Sequence, residues 1–344
     1  MRNNLSVRIT ALALVVSGAL WAGNPQRAGQ AGASELLINP WARNAAWGGV
    51  NVAGVTGVQA SFLNVAGTAN TERTDIAFAN TNWLMGAGIS VNSFGLNQHV
   101  GDRGVLGASL VAVNYGDFDI TNEANPNGGL GTISPTAITI GMSYAQRFTE
   151  SIRGGINIKV YNASSNNLST TAMCFDAGVQ YVTGEDEKVK FGITLRNIGP
   201  SASYKGDGQV INLGVPGGQY SQAYKERSST YELPVQLSLG GSYDFNFDEN
   251  RVTMAVAFQS NSFQKDQFTV GGEYSFREKF MLRGGYSLYN NTDDDRTTSA
   301  ISGLSAGAGV KLDMGESDLV IDYSYSDTDF FDGIHSIGIA INLK

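Results

Sequence analysis

Apolar and polar residues alternate strictly along the last ten residues of this 344-residue chain. Ile337, Ile339 and Ile341 alternate with Ser336, Gly338 and Ala340. A period of two is typical of a β-strand with one apolar and one polar face, and the pattern recurs from Thr74 onwards. The predicted strands are residues 74–82, 83–93, 103–115, 135–146, 151–163, 171–182, 188–198, 232–247, 250–260, 266–276, 279–290, 301–314, 318–327 and 335–343. An all-β, transmembrane antiparallel β-barrel of about fourteen strands over residues 74–344 is therefore expected, with apolar side chains toward lipid.

The predicted connections also alternate in length. Short charged turns lie at 146–151, 183–188, 247–251, 276–279 and 315–318, and longer polar loops lie at 117–134, 163–170, 199–231, 261–266, 291–300 and 328–334. Outer-membrane barrels have short periplasmic turns and long extracellular loops. A soluble β-sandwich or propeller would have no reason to alternate short turns with long loops. The alternation therefore predicts a multi-pass barrel in a bacterial outer membrane.

Two segments precede the predicted barrel. Residues 1–33 resemble a signal peptide, with an apolar core from Ile9 to Trp21 and small residues that allow cleavage anywhere between 22 and 33. Residues 34–73 are rich in Gly, Ala and Val without strand periodicity, too glycine-rich for a stable helix. They are expected to form a plug or hatch in the barrel mouth; a flexible periplasmic leader is the alternative.

Composition and charge exclude a helical membrane protein and argue against a nucleic-acid-binding protein. After the leader, no stretch is apolar for 18 residues, which excludes transmembrane helices. The formal charge of −8 and the lack of a basic cluster argue against nucleic acid as a partner. The 43 glycines and 7 prolines suit strands and tight turns. Cys174 is the single cysteine and can form no intramolecular disulfide.

The register of two predicted hairpins places opposite charges across from each other inside the barrel. If Phe276 pairs with Phe280, Glu273 lies opposite Arg283. If Met314 pairs with Leu319, Lys311 lies opposite Asp322. These pairs either line a pore or dock a ligand, or they fill and rigidify the lumen wall. Charges on the lipid face would cost about 2–4 kcal/mol each near the membrane centre, so an inward placement is expected.

Several sequence blocks resemble a known family. They are LLINPWARNAAWGGVNVA at 36–53, FLNVAG at 62–67, YGDFDI at 115–120, MSYAQRF at 142–148, FDAGVQY at 175–181, LRNIGP at 195–200, LPVQLSLGGSY at 233–243, GGEYSF at 271–276, LRGGYSL at 282–288, GLSAGAGV at 303–310 and DYSYSDTDFFDGIHSIGI at 322–339. Together they resemble the PorV/PorQ family of Bacteroidetes outer-membrane proteins. The family's Asn-Pro-Ala-Gly stands here as Asn64-Val65-Ala66-Gly67, without the proline.

The resemblance implies a FadL-like barrel with an N-terminal hatch that serves the type IX secretion system. Its partners would be translocon or attachment-complex proteins and the C-terminal signal domains of secreted cargo, besides outer-membrane lipid or lipopolysaccharide. Aromatic residues on long outer loops suit such contacts. The candidate partner-binding residues are Tyr204, Tyr220, Tyr224 and Tyr231 in loop 199–231, and Phe330 and Phe331 in the last loop.

Two other functions are weighed against this one. A FadL-like transporter of hydrophobic small molecules needs an apolar lumen, whereas the expected lumen residues are polar or charged. An outer-membrane enzyme needs a catalytic set, but the chain has only His99 and His335 as histidines and lacks Gly-x-Ser-x-Gly, HExxH and phosphate-loop motifs. The sequence predicts no catalytic residue, metal site or cofactor.

Overall fold

Each strand of the barrel hydrogen-bonds to the strands before and after it, and the last pairs with the first. The computed structural model describes residues 27, 29–214, 220–289 and 301–344, and within these residues fourteen antiparallel strands form a closed barrel. The strands are β1 Thr74–Trp83, β2 Ile89–Val100, β3 Gly104–Asn114, β4 Thr136–Arg147, β5 Ile152–Ser165, β6 Leu168–Thr183, β7 Val189–Ile198, β8 Gln236–Phe247, β9 Asn250–Asn261, β10 Gln267–Phe276, β11 Phe280–Tyr289, β12 Ile301–Asp313, β13 Ser317–Thr328 and β14 Ile334–Leu343. The predicted fold class is confirmed.

Side chains face alternately outward and inward, as the sequence pattern predicts. Along β13 and β14, Ile321 and Ile339 are 42% and 44% exposed on the outer surface, whereas Asp322 is buried on the inner face. Hydrocarbon is the solvent that such an apolar exterior requires. Helices are few and short: α1 Ala42–Ala45, α2 Ala60–Leu63, and 3₁₀ turns at Ser34–Leu37, Val65–Asn70, Glu185–Glu187 and Asp207–Gln209. Within the described residues, no helix has the length and apolar content needed to cross a membrane.

Three sequence-based boundaries are wrong. The second strand was predicted at 83–93, but β2 is Ile89–Val100 because Leu84, Gly86 and Gly88 have positive φ and form a turn after Trp83. The predicted outer loop at 163–170 is only a two-residue turn between Ser165 and Leu168, with Asn166 in the left-handed region at φ 51°. The eighth strand begins at Gln236 instead of 232, and Leu233 is buried instead of facing lipid.

The connections divide the barrel into two rims. One rim carries turns of two to five residues, at 101–103, 148–151, 184–188, 248–249, 277–279 and 314–316. The other carries the longest connections, 115–135 and 199–235. We assign the short-turn rim to the periplasm and the other to the cell exterior, as in other outer-membrane barrels. Short strands brace the long loops: Phe118–Asp119 with Thr132–Ile133, and Ala202–Ser203 with Thr230–Tyr231.

Residues 34–71 lie inside the barrel and contact its inner wall on several sides. The 3₁₀ turn Val65–Asn70 packs on β4, β5 and β6, while helix α1 packs on β12, β13 and β14. Wall side chains bind the main chain of this segment: Gln180 Nε2 donates to Val55 O at 2.9 Å. Asn64 Nδ2 in turn donates to Val52 O at 3.0 Å and to Val179 O in β6 at 3.1 Å. We call residues 34–71 the inner segment.

The outer half of the lumen is apolar where the inner segment covers it. Leu36 and Ala33 pack against inward-facing Val91, Val113 and Ala137, together with the buried Cys174. The inner face of the wall is therefore apolar at these positions and not polar throughout. The predicted signal peptide, residues 1–33, lies outside the described residues except for Arg27 and 29–33. Of these, Gly32 N donates to Glu232 O at 3.1 Å.

Inward-facing glycines allow the inner segment to approach the wall closely. A Cβ at Gly285 in β11 would lie 2.4 Å from the carbonyl of Trp47, and one at Gly192 in β7 would lie 2.5 Å from Val52 O. Both contacts are with backbone, which cannot rotate away. Glycine is thus required at these positions by packing of one main chain on another.

We therefore expect Gly285→Ala to destabilise the protein by about 1–3 kcal/mol through overpacking. Gly284→Ala is the matched control, because a Cβ there meets only Ser305 O, at 3.9 Å. Heat-modifiable electrophoretic migration and thermal unfolding in detergent measure the difference. Equal midpoints for the two variants would show that the inner segment does not press on this wall.

Candidate partner surface and lumen charge network

A two-stranded hairpin projects from the longest outer loop. Its strands, Val210–Gly214 and Ser221–Lys225, pair only with each other among the described residues, and the tip at 215–219 lies outside them. Ile211 pairs with Tyr224, and Leu213 lies on the same face. These three side chains are 45–50% exposed. We call residues 210–225 the outer hairpin; it presents an apolar face and two unpaired strand edges outside the cell.

The predicted aromatic anchors separate into two groups. Tyr220 is 66% exposed, and Tyr224 is on the outer hairpin. Tyr204 and Tyr231 instead pack on each other, with ring centroids 5.9 Å apart. Tyr231 also covers Gly32 and shares a hydrogen bond with Thr170 Oγ1 at 2.8 Å. Both side chains are half-buried, with residues 31–33 beside Tyr231, so they are less accessible to a partner than Tyr220, and their role as partner contacts stays a prediction.

Phe330 and Phe331 lie in the connection between β13 and β14. Phe330 is 74% exposed and Phe331 is 39% exposed. Thr328 Oγ1 donates to Phe331 O at 2.7 Å, and Met85 N donates to Gly333 O at 2.8 Å. The last loop is thus ordered against the first outer loop. Both phenylalanines remain available at the outer rim, where an interfacial aromatic belt is also expected.

The partly buried carboxylate of Glu35 fastens the inner segment near the outer rim. Glu35 accepts hydrogen bonds from the hydroxyl of Tyr115, at 2.5 Å, and from that of Tyr161, at 2.8 Å. Burial, and then the hydrogen bond to Glu35, raises the pKa of Tyr115 far above its usual value. A carboxylate that accepts two hydroxyl hydrogens holds residues 34–37 against β5 and against the start of the loop after β3.

Six charged side chains alternate in sign from the periplasmic rim to the inner segment. Arg251 binds Glu278 at 2.7 Å and Glu273 at 2.9 Å. Arg283 joins Glu273 to Asp322, with both distances 2.6 Å. Arg43 of helix α1 then binds Asp322 at 3.2 Å. The hydrogen bond from Arg251, which is the largest contribution, lowers the pKa of Glu278 in the β10–β11 turn. Because each charge has an opposite neighbour, the network can be buried without a free ion.

The four predicted lumen charges all face the interior, but one predicted pair is wrong. Glu273 lies directly opposite Arg283, as the hairpin register predicts. Lys311 does not face Asp322: Leu312 pairs with Leu319, and Lys311 binds Asp318 at 2.7 Å. The turn closes with Met314 N donating to Ser317 O, which shifts the register by two residues. A shift of two preserves the facing of every side chain but changes its partner.

Sequence reasoning missed a second buried network in the wall. Lys159 binds Asp176 at 2.7 Å, and Asp176 Oδ1 accepts from Asn197 N at 2.8 Å. The pairing of β6 with β7 is irregular between Phe175 and Ala177, and Asn197 has φ 62°. Asn tolerates the left-handed region better than most residues, which is the one local signal for this bulge. The pairing of Arg43 with Asp322 has no such signal, because it joins residues distant in sequence.

This architecture defines a class of protein. A closed barrel with an apolar exterior and a filled interior is an outer-membrane β-barrel, and this location is confirmed. A family model described as "Type IX secretion system membrane protein PorP/SprF" matches residues 88–340. The match covers more than half of the chain, so the protein belongs to the PorP/SprF family. The predicted secretion system is confirmed, whereas the narrower PorV/PorQ naming is not.

Solved structures share the fold at low sequence identity. The toluene transporter TbuX of Ralstonia pickettii is 15% identical, with a TM-score of 0.55 over 89% of this chain and 98% of that one. The toluene transporter TodX of Pseudomonas putida is 11% identical, with a TM-score of 0.57 over 88% and 97%. A FadL homologue of Pseudomonas aeruginosa is 12% identical, with a TM-score of 0.54 over 87% and 96%. Comparison with curated proteins gives no match.

Removing Asp322 should destabilise the barrel far more than removing the exposed end of the network. Asp322→Asn leaves Arg283 buried beside one carboxylate fewer, and breaking such a pair costs about 3–5 kcal/mol. Glu278→Gln, at a side chain 57% exposed, should cost less than about 1 kcal/mol. Chemical denaturation in detergent, followed by tryptophan emission, compares the two. Similar unfolding midpoints for the two variants would contradict the inference that the buried ion pairs contribute most of the stability of the network.

The Glu35–Tyr115 contact should weaken in alkali. Because the pKa of Tyr115 is raised in the folded protein, its contribution to stability is complete below the unfolded value of about 10 and is lost as the pH rises above it. We expect the melting temperature of the wild type to fall more steeply than that of Tyr115→Phe as the pH rises above about 10, because the variant has no hydroxyl to ionise there. Parallel pH profiles would exclude this tyrosine as the source.

Proposed function

We propose that the protein binds other subunits of the type IX secretion system, or the C-terminal domains of secreted cargo, through the outer hairpin. Family membership implies interaction with secretion-system components. The observation that supports this surface is the apolar face of Ile211, Leu213 and Tyr224, exposed to water outside the membrane-spanning strands. Exposed apolar patches of this kind are typical of protein interaction sites.

The outer hairpin also has the geometry for pairing with a partner strand. Its edges carry unpaired N–H and C=O groups among the described residues, and such edges accept an added strand through main-chain hydrogen bonds. Tyr220 and Tyr224 would supply aromatic anchors beside that edge. The hairpin base is held separately, because Lys205 and Gly206 pair with Ser169 and Leu168 at the start of β6.

Transport of hydrophobic small molecules is the second candidate. The solved neighbours include toluene transporters, and a cavity of about 180 Å³ has Leu63, Phe62 and Trp83 in its lining. The same cavity is lined by Arg196, Gln236 and Thr269, and the inner segment forms part of its wall at Leu37, Ala45 and Gly49. A permeating molecule would have to displace that segment and its hydrogen bonds. We infer no catalytic role, since the family and fold are those of secretion and transport proteins.

Deleting the outer hairpin tests the proposal. Replacement of 210–225 by a short glycine-serine linker should leave barrel assembly intact, because the base pairs Ala202–Tyr231 and Lys205–Ser169 remain. We expect co-purification of secretion subunits or cargo domains from gentle detergent extracts to be lost. The triple substitution Ile211→Ser, Leu213→Ser and Tyr224→Ser should reduce capture about tenfold or more by removing the apolar face.

A matched control makes the comparison specific. Leu130→Ser removes an apolar side chain, 47% exposed, from a different outer loop. This variant should retain its partners. Undiminished capture by the hairpin deletion, with normal heat-modifiable migration, would refute the hairpin as the contact, and bound lipid without protein partners would favour transport.

A further inference from the structure

Arg27 and residues 29–33, which precede the inner segment, lie on the outer rim of the barrel. The sequence assigns them to a signal peptide, with a cut anywhere between 22 and 33. In the structure, however, these residues contact two of the outer connections. We call Arg27 and residues 29–33 the outer strap. Its contacts bear on where the signal peptide ends.

The main chain of the outer strap pairs with the end of the longest outer loop. Ala31 forms a parallel β-bridge with Glu232, and Gly32 N donates to Glu232 O at 3.1 Å. The ring of Tyr231 lies against Gly32, where a Cβ would be 2.3 Å from ring carbon Cδ2. The hydroxyl of Tyr231 shares a hydrogen bond with Thr170 Oγ1 at 2.8 Å, which holds the ring in place. Glycine at this position therefore allows an approach that a larger residue would obstruct.

Arg27 joins two outer connections, 199–235 and 262–266. Its Nη2 binds Glu232 Oε1 at 2.9 Å, and its guanidinium carbon lies 4.3 Å from the ring centroid of Phe263. The ion pair is exposed, with side chains 37% and 57% accessible, so it contributes little by itself. Phe263 is buried, and a cation over the face of an aromatic ring is a more specific contact.

The last residue of the outer strap is part of the barrel interior. Ala33 is buried in the apolar cluster that also contains Leu36. Its carbonyl accepts a hydrogen bond from Leu36 N at 3.1 Å, in the 3₁₀ turn Ser34–Leu37. A cut after Ala33 would remove a buried side chain and this acceptor from the mature protein.

Two places in the sequence suit a leader peptidase. Such enzymes cut after a small residue that follows the apolar core. Ala22 comes directly after Trp21, the last residue of that core, whereas Ala-Gly-Ala at 31–33 lies well beyond it. A cut after Ala33 would abolish every contact of the outer strap, and a cut after Ala22 would abolish none. A segment discarded before assembly has no reason to fit the outer loops.

We propose that a leader peptidase cuts this chain after Ala22, and that the outer strap remains in the mature protein as a clamp on the outer loops. Water adds across the Ala22–Gly23 peptide bond, which leaves a carboxylate on the leader and a free amino group on Gly23. Residues 23–26 then precede Arg27, about 14 Å of extended chain, which cannot cross a barrel wall about 25 Å tall. The mature amino terminus is therefore on the cell exterior.

This position fixes the direction of the inner segment. It enters the lumen at the outer rim and ends near Thr74, where β1 begins at the periplasmic rim. The outer strap is separate from the outer hairpin, so the inference does not depend on the proposed function.

Amino-terminal sequencing and intact mass of the full chain, purified from the outer membrane of a cell that exports it, locate the cut. We expect Gly23 as the first residue. Any first residue from Gly23 to Arg27 retains the outer strap and supports the proposal, and any other first residue overturns it. Ala22→Leu should slow processing about tenfold or more, because the cut requires a small residue. Ala33→Leu should leave processing unchanged, and slower processing of this variant would place the cut after Ala33.

Labelling of intact cells with a membrane-impermeant maleimide tests the position of the strap. Gln30→Cys, at an exposed residue, should react in intact cells, whereas the wild type should not, because Cys174 is buried. Leu130→Cys in an outer loop is the positive control for barrel orientation. Glu316→Cys in a short periplasmic turn should react only after permeabilisation.

Absence of reaction at Gln30→Cys in intact cells, while Leu130→Cys reacts, would overturn the exterior position of the strap. Heat-modifiable migration of each variant reports assembly, so a variant that fails to fold is recognised as such. Because the strap and the outer hairpin are probed separately, loss of partner capture by the hairpin deletion has no bearing on this result.

Discussion

The structure depends on how a barrel of this width fills its lumen and provides hydrogen-bond partners for the polar groups inside it. Fourteen strands enclose more space than inward side chains alone can fill, since small barrels of about eight strands are already just filled by them. The inner segment occupies this space, but it brings main-chain N–H and C=O groups that must find partners. Wall side chains provide them, as Gln180 does for Val55 O, and wall glycines allow the approach, as Gly285 does beneath Trp47. The same contacts therefore fill the lumen and pair the main-chain polar groups of the inner segment.

Buried charge follows from the same requirement. Side chains that face inward at the level of the membrane are screened from lipid but not fully exposed to water, so isolated ions there would be costly. The alternation of Arg and carboxylate from Glu278 to Arg43 leaves no interior member without an opposite charge. Its inner end lies on helix α1, so it joins the wall to the inner segment as well as strand to strand. The network therefore favours the position of the inner segment in which Arg43 binds Asp322. Any position that moves Arg43 away would leave Asp322 with Arg283 as its one cationic partner in this network.

The sequence predicts the barrel well because lipid on one face of each strand requires an apolar side chain at every second position, and this alternation can be read locally. Strand number, facing and the Glu273–Arg283 register all follow from it. The errors arise where main-chain geometry decides: left-handed Leu84 ends β1, left-handed Asn166 makes a tight turn, and a tighter turn before Ser317 moves Lys311 from Asp322 to Asp318. Contacts between the inner segment and the wall could not be predicted, because no periodicity relates Arg43 to Asp322 or Glu35 to Tyr161. The same holds for Tyr231, which packs against Gly32, a residue that the sequence assigns to a leader.

The two rims differ in ways that bear on how such a protein works. The barrel wall and the inner segment are the parts of the described structure that extend between the outer rim and the periplasmic rim. The outer rim presents Ile211, Leu213 and Tyr224, whose chemistry suits apolar and strand-pairing contacts. The periplasmic rim opens instead into a polar cavity of about 590 Å³, and residues of the inner segment such as Gln59 form part of its lining. Glu35 near the outer rim and Gln59 at this cavity belong to one continuous segment, so a displacement at one end acts on the same main chain that Tyr115 and Tyr161 hold at the other. Coupling between the rims therefore requires movement of that segment relative to the wall, and the glycine contacts and the charge network are the interactions that oppose it.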